Sequence, residues 1–450
     1  MPPLRSPNAS PSLRRTAMRL RRLLPTASAA LLLGATLAGC DSDLEVTNPN
    51  QRTAATNWRT ATDALQGTTA VYAGLLPLGV YGRWQVFMGD LRADNATGVR
   101  EGGWGEMKSF AAFQVPNYDF EPNFHVWRDH YQAIARANQV IANVPRIEMD
   151  QTLRARLVGE AKFLRGLLYF NLVNWYGGNI PLITVPADDP SVRPASSTVD
   201  SVYAQIERDA TEAAAALPTR RQLASADLGR ATRGAALALL GKARMQQRRW
   251  AQAGEALGQV IASGEYALRA NYEDNFTDRF ENNEESLFEV QFGDESTLAN
   301  NIPGLSFPRM ATACGPGFCD VRATQFLFDA FRAESTTTGR PDPRLDVTLF
   351  YPRPGNTERV WQTTYDRLIT PGSPLTFRKY TEWYKTERDF QRWDNPINFR
   401  VIRYADVLLL QAEALNEQGQ TGQAVPLVNQ VRQRVSLRPL SAGISQGDLR

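Results

Sequence analysis

The stretch LGKARMQQRRWAQAGEAL, residues 240–257, predicts two antiparallel helices joined by a short turn. Gly241 is followed twelve residues later by Ala253 and sixteen residues later by Leu257. Small residues at this spacing let two helices approach closely, and an apolar residue one turn later fills the space between them. Trp250 lies near the turn. The stretch therefore indicates a closely packed helical hairpin.

The same spacing recurs towards the end of the chain. Ala412 is followed at the same offsets by Ala424 and Val428. Two copies favour a scaffold of stacked helical hairpins of the tetratricopeptide type. The alternative is that any antiparallel helix pair shows one such match by chance. Pro426 should kink the second helix, because proline removes a backbone hydrogen bond.

Helical periodicity dominates from about residue 58 to residue 265, so the fold class is mainly α. Apolar residues recur at helical spacing in 124–143 and in 151–176, where Gly177 should end the helix. Further helices are predicted at 198–217, 231–248, 250–262, 323–333, 401–418 and 422–435. Residues 266–400 are rich in Pro, Gly, Asn and aromatic residues, and SLFEVQF at 286–292 predicts a short strand. We expect a helical scaffold that carries a loop-rich insertion with short strands.

The N-terminal segment has the pattern of a lipoprotein signal peptide. A basic MRLRR at 18–22 precedes an uncharged run, which ends in LAGC at 37–40. Cys40 would then be the lipid attachment site, and the first seventeen residues an over-extended start. The alternative is one transmembrane anchor, but the run from 23 to 39 contains Pro25 and is shorter than the ~20 residues that a span needs.

Removal of residues 1–39 changes the charge of the protein. That segment contains six arginines and no acidic residue, which leaves 44 Lys and Arg against 47 Asp and Glu, a formal charge of −3. A nucleic-acid-binding protein would need a clustered excess of positive charge. The composition therefore gives no support to that class of function.

Two further cysteines lie five positions apart in CGPGFC at 314–319. A Gly/Pro loop of this length can bring the two Cα atoms to ~5.5 Å, and an exported protein retains disulfides. We therefore favour a Cys314–Cys319 disulfide, with two free thiols as the alternative. A zinc site is not expected, because no second Cys or His pair lies nearby.

The sequence contains little that indicates catalysis. Its two histidines, His125 and His130, lie five apart on one predicted helix. They should therefore point roughly 140° apart, which does not suit a shared metal or substrate. Nucleophile elbows, phosphate loops and dinucleotide motifs are not present in the sequence. We expect no enzyme activity, no cofactor and no metal.

Three stretches carry a resemblance to a known family. They are EAKFLRGLLYFNLVNWYGGNIPLI at 160–183, NNEESLFEVQF at 282–292 and FRVIRYADVLLLQAEALNEQGQ at 399–420. With the lipoprotein signal and the hairpins, they resemble the SusD/RagB family of surface glycan-binding lipoproteins. The most specific motif is RYAD at 403–406, in which we expect Arg403 and Asp406 to be structural partners and not ligand contacts.

The resemblance implies a function as well as a fold. It implies a lipid-anchored protein of the outer membrane, exposed at the cell surface, that captures an oligosaccharide or other polymeric nutrient. It further implies delivery of that ligand to a SusC-like TonB-dependent transporter, without bond cleavage. A peptide- or protein-binding member of the same architecture and a cell-envelope assembly scaffold are the alternatives. Asp41 affects the choice between the two membranes, because in some bacteria an Asp directly after the lipidated cysteine retains a lipoprotein at the inner membrane. We favour the cell surface.

The expected organisation follows from these features. We assign 1–39 to a signal peptide, 40–57 to a lipid-anchored tether, 58–265 to a helical tetratricopeptide-like core, 266–400 to a loop-rich ligand-binding region and 401–450 to a further helical hairpin. Family members usually continue past that hairpin into a segment rich in Glu, Arg and aromatic residues. We therefore expect the sequence to lack a C-terminal portion.

A glycan site needs exposed aromatic rings beside planar polar groups, because sugar C–H faces stack on rings and hydroxyls bind amides, carboxylates and guanidinium groups. The stretch 81–104 supplies both kinds of side chain, and the resemblance places a glycan platform there. The candidate ligand-binding residues are Tyr81, Trp84, Arg92, Asp94, Asn95 and Trp104, with Trp361 and Trp383 as further candidates. For each tryptophan the alternative is a core position.

Overall fold

The computed structural model describes residues 57–98, 106–114, 121–187, 193–293, 304–369, 371–372, 374–386 and 394–450. The proposed signal peptide, Cys40 and Trp104 lie outside the described residues. The part from Trp58 to Arg450 forms one compact unit, so the three regions expected within it belong to a single folded body. Their boundaries at 265 and 400 remain predictions.

Antiparallel helices make up most of the described structure, which confirms the mainly α fold class. In chain order the α-helices are α1 Ala61–Ala73, α2 Trp84–Leu91, α3 Glu106–Ala111, α4 Glu121–Asn143, α5 Gln151–Tyr176, α6 Val199–Ala216, α7 Arg233–Gln246, α8 Trp250–Ala262, α9 Phe307–Ala311, α10 Gln325–Ala333, α11 Arg344–Thr348, α12 Tyr404–Glu417, α13 Thr421–Arg434 and α14 Gln446–Leu449. Among the described residues, no helix combines the length and the hydropathy that a membrane crossing needs.

Short antiparallel strand pairs join the loops to the helical scaffold. The strands are β1 Ala96–Gly98, β2 Ser286–Val290, β3 Val321–Ala323, β4 Leu349–Phe350, β5 Arg359–Val360, β6 Thr363–Thr364, β7 Thr376–Phe377 and β8 Phe399–Arg403. They pair as β1 with β3, β2 with β8, β4 with β7 and β5 with β6. The pairing of β1 with β3 places the segment before residue 96 next to the segment after residue 323.

The central helix is α5, which packs against α4 and α6. Asp150 caps its N-terminus, because the Asp150 carboxylate accepts a hydrogen bond from Leu153 N at 2.7 Å. Gly177 ends it with φ of 61°, a left-handed conformation that glycine adopts without steric cost. Nearly every residue from 157 to 173 is buried, so α5 is surrounded by protein on all sides. Its observed range matches the prediction of 151–176.

The two predicted helical hairpins are present, and they pack on each other through α8 and α12. In the first hairpin, a Cβ placed on Gly241 would lie 2.6 Å from Leu257 Cγ, so only glycine permits this contact between α7 and α8. In the second, α13 continues through Pro426 as one helix. The spacing of small residues thus located both hairpins.

The RYAD motif takes part in ion pairs within the scaffold. Arg403 Nη1 contacts Glu285 Oε1 at 2.6 Å, and Asp406 Oδ2 contacts Lys242 Nζ at 2.6 Å. The first pair joins β8 to the segment before β2, and the second joins α12 to α7. Both side chains are structural partners, as predicted.

Candidate functional site

Residues 78–98 fold into a turn, the helix α2, a loop and the strand β1. Leu78–Gly82 forms one π-helical turn, and α2 buries four of its eight residues. The loop 92–95 then leads into β1, where Ala96 faces Ala323 and Gly98 faces Val321. This pairing holds the loop at the molecular surface beside the start of α10.

Tyr81 and Trp84 belong to the core, which corrects their assignment as direct ligand contacts. Tyr81 stacks on Phe399 at 5.5 Å between ring centroids, and its hydroxyl accepts a hydrogen bond from Asn171 Nδ2 at 3.1 Å. Burial raises the pKa of Tyr81. Trp84 is only 1% exposed and packs against Phe87 at 6.1 Å. A ring that solvent does not reach offers no face to a sugar.

The polar residues of the loop have a different environment. The side chains of Asp94 and Asn95 are exposed. Their backbone carbonyls accept hydrogen bonds from Thr324, Asp94 O from Oγ1 at 2.5 Å and Asn95 O from N at 3.0 Å. These hydrogen bonds fix the backbone of residues 94 and 95, and both side chains face solvent.

Arg92 lies at the other end of the loop. Its guanidinium carbon is 4.0 Å from the centroid of the Phe110 ring on α3, a cation–π contact. Desolvation lowers the pKa of Arg92, and the neighbouring Tyr176 opposes that shift. The contact with Phe110 holds Arg92 between the loop and α3.

Two exposed phenylalanines lie in segments that are joined to the loop through Thr324 and Phe110, and neither was among the residues predicted from the sequence. Phe326, two residues after Thr324, is 62% exposed, and Phe113, which donates its backbone N–H to Phe110 O, is 71% exposed. For Phe326 the signal was present in FLF at 326–328, since a short surface helix cannot bury three consecutive apolar residues on one face. We call residues 92–95 together with Phe113, Thr324 and Phe326 the 92–95 edge.

Trp361 and Trp383 lie elsewhere, in a second small core under the loops. Trp361 is 4% exposed, and its Nε1–H donates to Glu382 O at 3.1 Å. It is therefore a core residue, which corrects its assignment as a ligand contact. Trp383 is half-buried beneath Arg378, whose guanidinium carbon lies 4.0 Å from the ring centroid. One face of Trp383 is therefore already occupied by a protein cation.

A disulfide stabilises the loop next to β3. The structure joins Cys314 and Cys319, with the two Cα atoms 4.9 Å apart. Arg322 Nε donates to Cys319 O at 3.2 Å, and Arg309 lies 5.0 Å from the Phe318 ring centroid. The disulfide loop and the Arg322 hydrogen bond thus restrain the segment that leads into β3, the strand that pairs with β1.

The two histidines do not form a shared site. His130 is fully buried, and its Nδ1 lies 2.7 Å from Val126 O. His125 Nδ1 contacts Arg128 Nη2 at 2.7 Å. Across the described residues, no group of three or more His, Cys, Asp or Glu side chains is arranged to hold a metal ion. The chemistry available at the 92–95 edge is hydrogen bonding and ring contact.

Comparison with known proteins agrees with this architecture. One family model, described as "Starch-binding associating with outer membrane", matches residues 82–245. A second model, described as "SusD family", matches residues 284–448. The 92–95 edge draws its residues from both matched parts.

Individual relatives extend the match over most of the chain. SusD-like protein P38 of Formosa agariphila is 26% identical over 431 residues, which cover 90% of this chain and 81% of that protein. The crystal structure of a SusD superfamily protein from Bacteroides vulgatus has a TM-score of 0.75 at 26% identity and covers 88% of this chain and 84% of its own. A laminarin-binding SusD-like protein has a TM-score of 0.69 at 26% identity, with 87% of each chain covered. The chain belongs to the SusD/RagB family.

Proposed function

We propose that the protein is a surface-exposed lipoprotein, anchored through Cys40, that captures an oligosaccharide without cleaving it. In this proposal it passes the ligand to a SusC-like TonB-dependent transporter in the outer membrane. The family membership and the lipoprotein signal at 18–40 support the location. The laminarin-binding relative supports a glycan as the ligand.

The observation that carries the proposal is the composition of the 92–95 edge. Asn95 offers a planar amide and Asp94 a carboxylate, and both project from a backbone that Thr324 holds. The two segments joined to this loop each carry an exposed ring, Phe326 after Thr324 and Phe113 after Phe110. Hydroxyl groups of a sugar bind the polar groups while its C–H face contacts a ring, which is the combination that saccharide recognition requires.

The edge favours binding over hydrolysis. Glycosidases generally flank the scissile bond with two carboxyl groups, about 5–9.5 Å apart. The described residues that make up the edge include one carboxylate, that of Asp94. A hydrolytic site of this type would need a second carboxylate beside it. A site made of exposed side chains also permits rapid release, which a protein that hands its ligand onward needs.

Glycan binding is tested with the lipid-free chain that starts after Cys40. We expect it to bind at least one neutral polysaccharide on a glycan array, with laminarin as the first probe. Asn95→Ala and Phe326→Ala should each weaken binding by about tenfold, because each removes about 1–1.5 kcal/mol of contact energy. Gln433→Ala and Leu228→Ala remove an exposed amide and an exposed apolar side chain from the helical scaffold and serve as matched controls. Equal affinities in all four variants would place the site elsewhere.

Delivery to a transporter is tested in the native membrane. A tagged full-length chain should copurify with a TonB-dependent barrel from detergent-extracted outer membranes. Cys40→Ser should release the protein from the membrane fraction while the soluble chain keeps its glycan binding. Recovery of the tagged wild-type chain in the inner-membrane fraction, or without any barrel, would contradict this part of the proposal.

A further inference from the structure

A group of cationic side chains surrounds Tyr272, and none of them is a residue of the 92–95 edge. The Lys379 Nζ lies 5.1 Å from the centroid of the Tyr272 ring and 4.4 Å from that of Phe276. The Arg434 guanidinium carbon lies 5.0 Å from the Tyr272 ring, and that of Arg403 lies 5.5 Å from the Phe276 ring. We call Tyr272, Arg344, Lys379, Arg403 and Arg434 the Tyr272 cluster.

Separate segments of the fold bring these residues together. Tyr272 begins a 3₁₀ turn, Arg344 begins α11 and Lys379 follows β7. Arg403 ends β8, and Arg434 ends α13. Two like charges 4 Å apart at a protein surface repel each other by about 1–4 kcal/mol. A group of four cationic side chains therefore needs negative charge nearby to offset this repulsion.

The compensation within the described residues is incomplete. Glu285 is shared by two arginines, since it contacts Arg403 Nη1 at 2.6 Å and Arg434 Nη1 at 2.8 Å. Asp342 is occupied by Arg344, with Nη2 at 2.6 Å. Among the described residues, no carboxylate lies within 4.0 Å of Lys379 Nζ. At longer range Asp90 acts on Lys379 and Glu334 acts on Arg344. Within ion-pair distance, the four cations of the cluster share two described carboxylates, Glu285 and Asp342.

Donors of the cluster remain available to a ligand. The hydrogen bonds of Arg403 and Arg344 to carboxylates use Nη1 of Arg403 and Nε and Nη2 of Arg344. Their side chains are 24% and 26% exposed, and Lys379 and Tyr272 are also partly exposed. A guanidinium carries five N–H donors in a fixed fork that suits a carboxylate or sulfate group.

The ionisation of Tyr272 is affected by the positive electrostatic potential of the cluster. Burial of its hydroxyl opposes ionisation, but the positive charges of Lys379, Arg403 and Arg344 outweigh that effect and hold the pKa of Tyr272 below its usual value. A positive potential that makes a phenol easier to ionise also attracts an incoming anion.

We infer that the Tyr272 cluster is a binding site for an oxyanion, carried by an acidic saccharide as a carboxylate or a sulfate group. This inference rests on the proposed function for the saccharide part of the ligand. The anion contacts Lys379 and the N–H groups of Arg344 and Arg403 that their carboxylate pairs do not use. Arg403 then binds ligand in addition to its structural pair with Glu285, which goes beyond the purely structural role expected for it. A glycan that carries acidic groups is then expected to bind more tightly than its neutral counterpart.

The test uses the lipid-free chain and three small probes: sodium glucuronate, glucose 6-sulfate and glucose. Binding is followed by calorimetry and by the ultraviolet absorbance of tyrosinate, with the Tyr272→Phe spectrum subtracted. We expect saturable binding of at least one anion and none of glucose at the same millimolar concentration. The bound anion should raise the pKa of Tyr272, because a nearby negative charge opposes ionisation of the phenol. The responding anion identifies the group as carboxylate or sulfate.

Lys379→Met keeps the aliphatic stem and removes the charge, and it should weaken anion binding by about tenfold. Lys162→Met removes one positive charge from a partly exposed lysine on α5 and controls for net charge. Absence of saturable anion binding, or equal affinities in the two variants, would overturn the inference. If the chain still binds laminarin, the proposed function survives that result; if it binds neither neutral nor acidic glycans, the proposed function fails as well.

Discussion

Gly241 and Leu257 touch where the two helices of the α7–α8 hairpin cross, and a Cβ on Gly241 would lie 2.6 Å from Leu257 Cγ. Gly241→Ala should therefore destabilise the protein by about 1–3 kcal/mol, because the added methyl group overpacks a buried contact. Chemical denaturation measures the loss. Gly258→Ala on α8 is the matched control: its Cβ would have 3.9 Å to the Gln411 side chain, so the better helix propensity should stabilise by roughly 0.5–1 kcal/mol. If both substitutions changed the free energy of unfolding equally, the close contact between Gly241 and Leu257 would be refuted.

A buried ion pair joins α5 to α6. Arg165 Nε donates to Asp209 Oδ2 at 2.8 Å and Arg165 Nη2 to Asp209 Oδ1 at 2.7 Å, and the side chains are 5% and 2% exposed. Asp209→Ala should lower the free energy of unfolding by about 3–5 kcal/mol, because it leaves a buried guanidinium without its partner. Glu212→Ala, which removes an exposed partner of Lys162 from the same helix, should cost less than about 1 kcal/mol. A loss of similar size in both variants would show that Arg165 finds other compensation.

Buried His130 makes stability depend on pH. Burial lowers its pKa to about 4, whereas an unfolded histidine titrates near 6.5. Between these two values the unfolded chain gains a proton that the folded chain does not, so this residue lowers the free energy of unfolding as the pH falls from 6.5 to 4. The neutral ring suits its contacts, with Nδ1–H donating to Val126 O at 2.7 Å and Nε2 accepting from Asn171 Nδ2 at 3.4 Å.

His130→Gln should remove this dependence. The difference in unfolding free energy between pH 7 and pH 4 should be smaller than in the wild-type chain by about 3 kcal/mol. Denaturation curves at several pH values measure it, and His125→Gln on the same helix controls for the loss of a histidine as such. Identical pH profiles of the wild-type chain and His130→Gln would contradict the prediction.

Because Trp84 is buried, its substitution should affect the stability of the protein and not its glycan binding. Trp84→Phe should lower the free energy of unfolding by about 1–3 kcal/mol, because it leaves a cavity in the core, and should keep glycan affinity unchanged. Asn95→Ala should do the reverse, since the exposed amide makes no core contact. Thermal unfolding and glycan titration on both variants give the comparison. Loss of binding in Trp84→Phe with an unchanged melting temperature would return Trp84 to the ligand site.

Most of the helical scaffold could be predicted because its signals are local. The range of α5 was correct at both ends, since Asp150 and Gly177 cap the helix and apolar residues fill the interval. The helix predicted at 401–418 began three residues too early. Residues 399–403 instead form β8, because Glu289 and Val290 of β2 provide a pairing partner that is more than a hundred residues away in the chain.

The candidate site was predictable only in part. Asp94 and Asn95 are exposed, and their role as ligand contacts remains a prediction, but the two aromatic residues selected with them, Tyr81 and Trp84, are buried. Aromatic residues serve a core and a sugar site equally well, so composition does not distinguish the two. The segment that carries Phe326 lies next to the loop because β1 pairs with β3.

The sequence by itself determined the helical hairpins, the family resemblance and the candidate lipid attachment site, because periodicity, capping residues and short motifs act over a few turns of chain. The tertiary structure alone decided which aromatic rings stay exposed and which charges meet around Tyr272. Burial and charge compensation depend on contacts between segments far apart in the chain, and no local pattern records them.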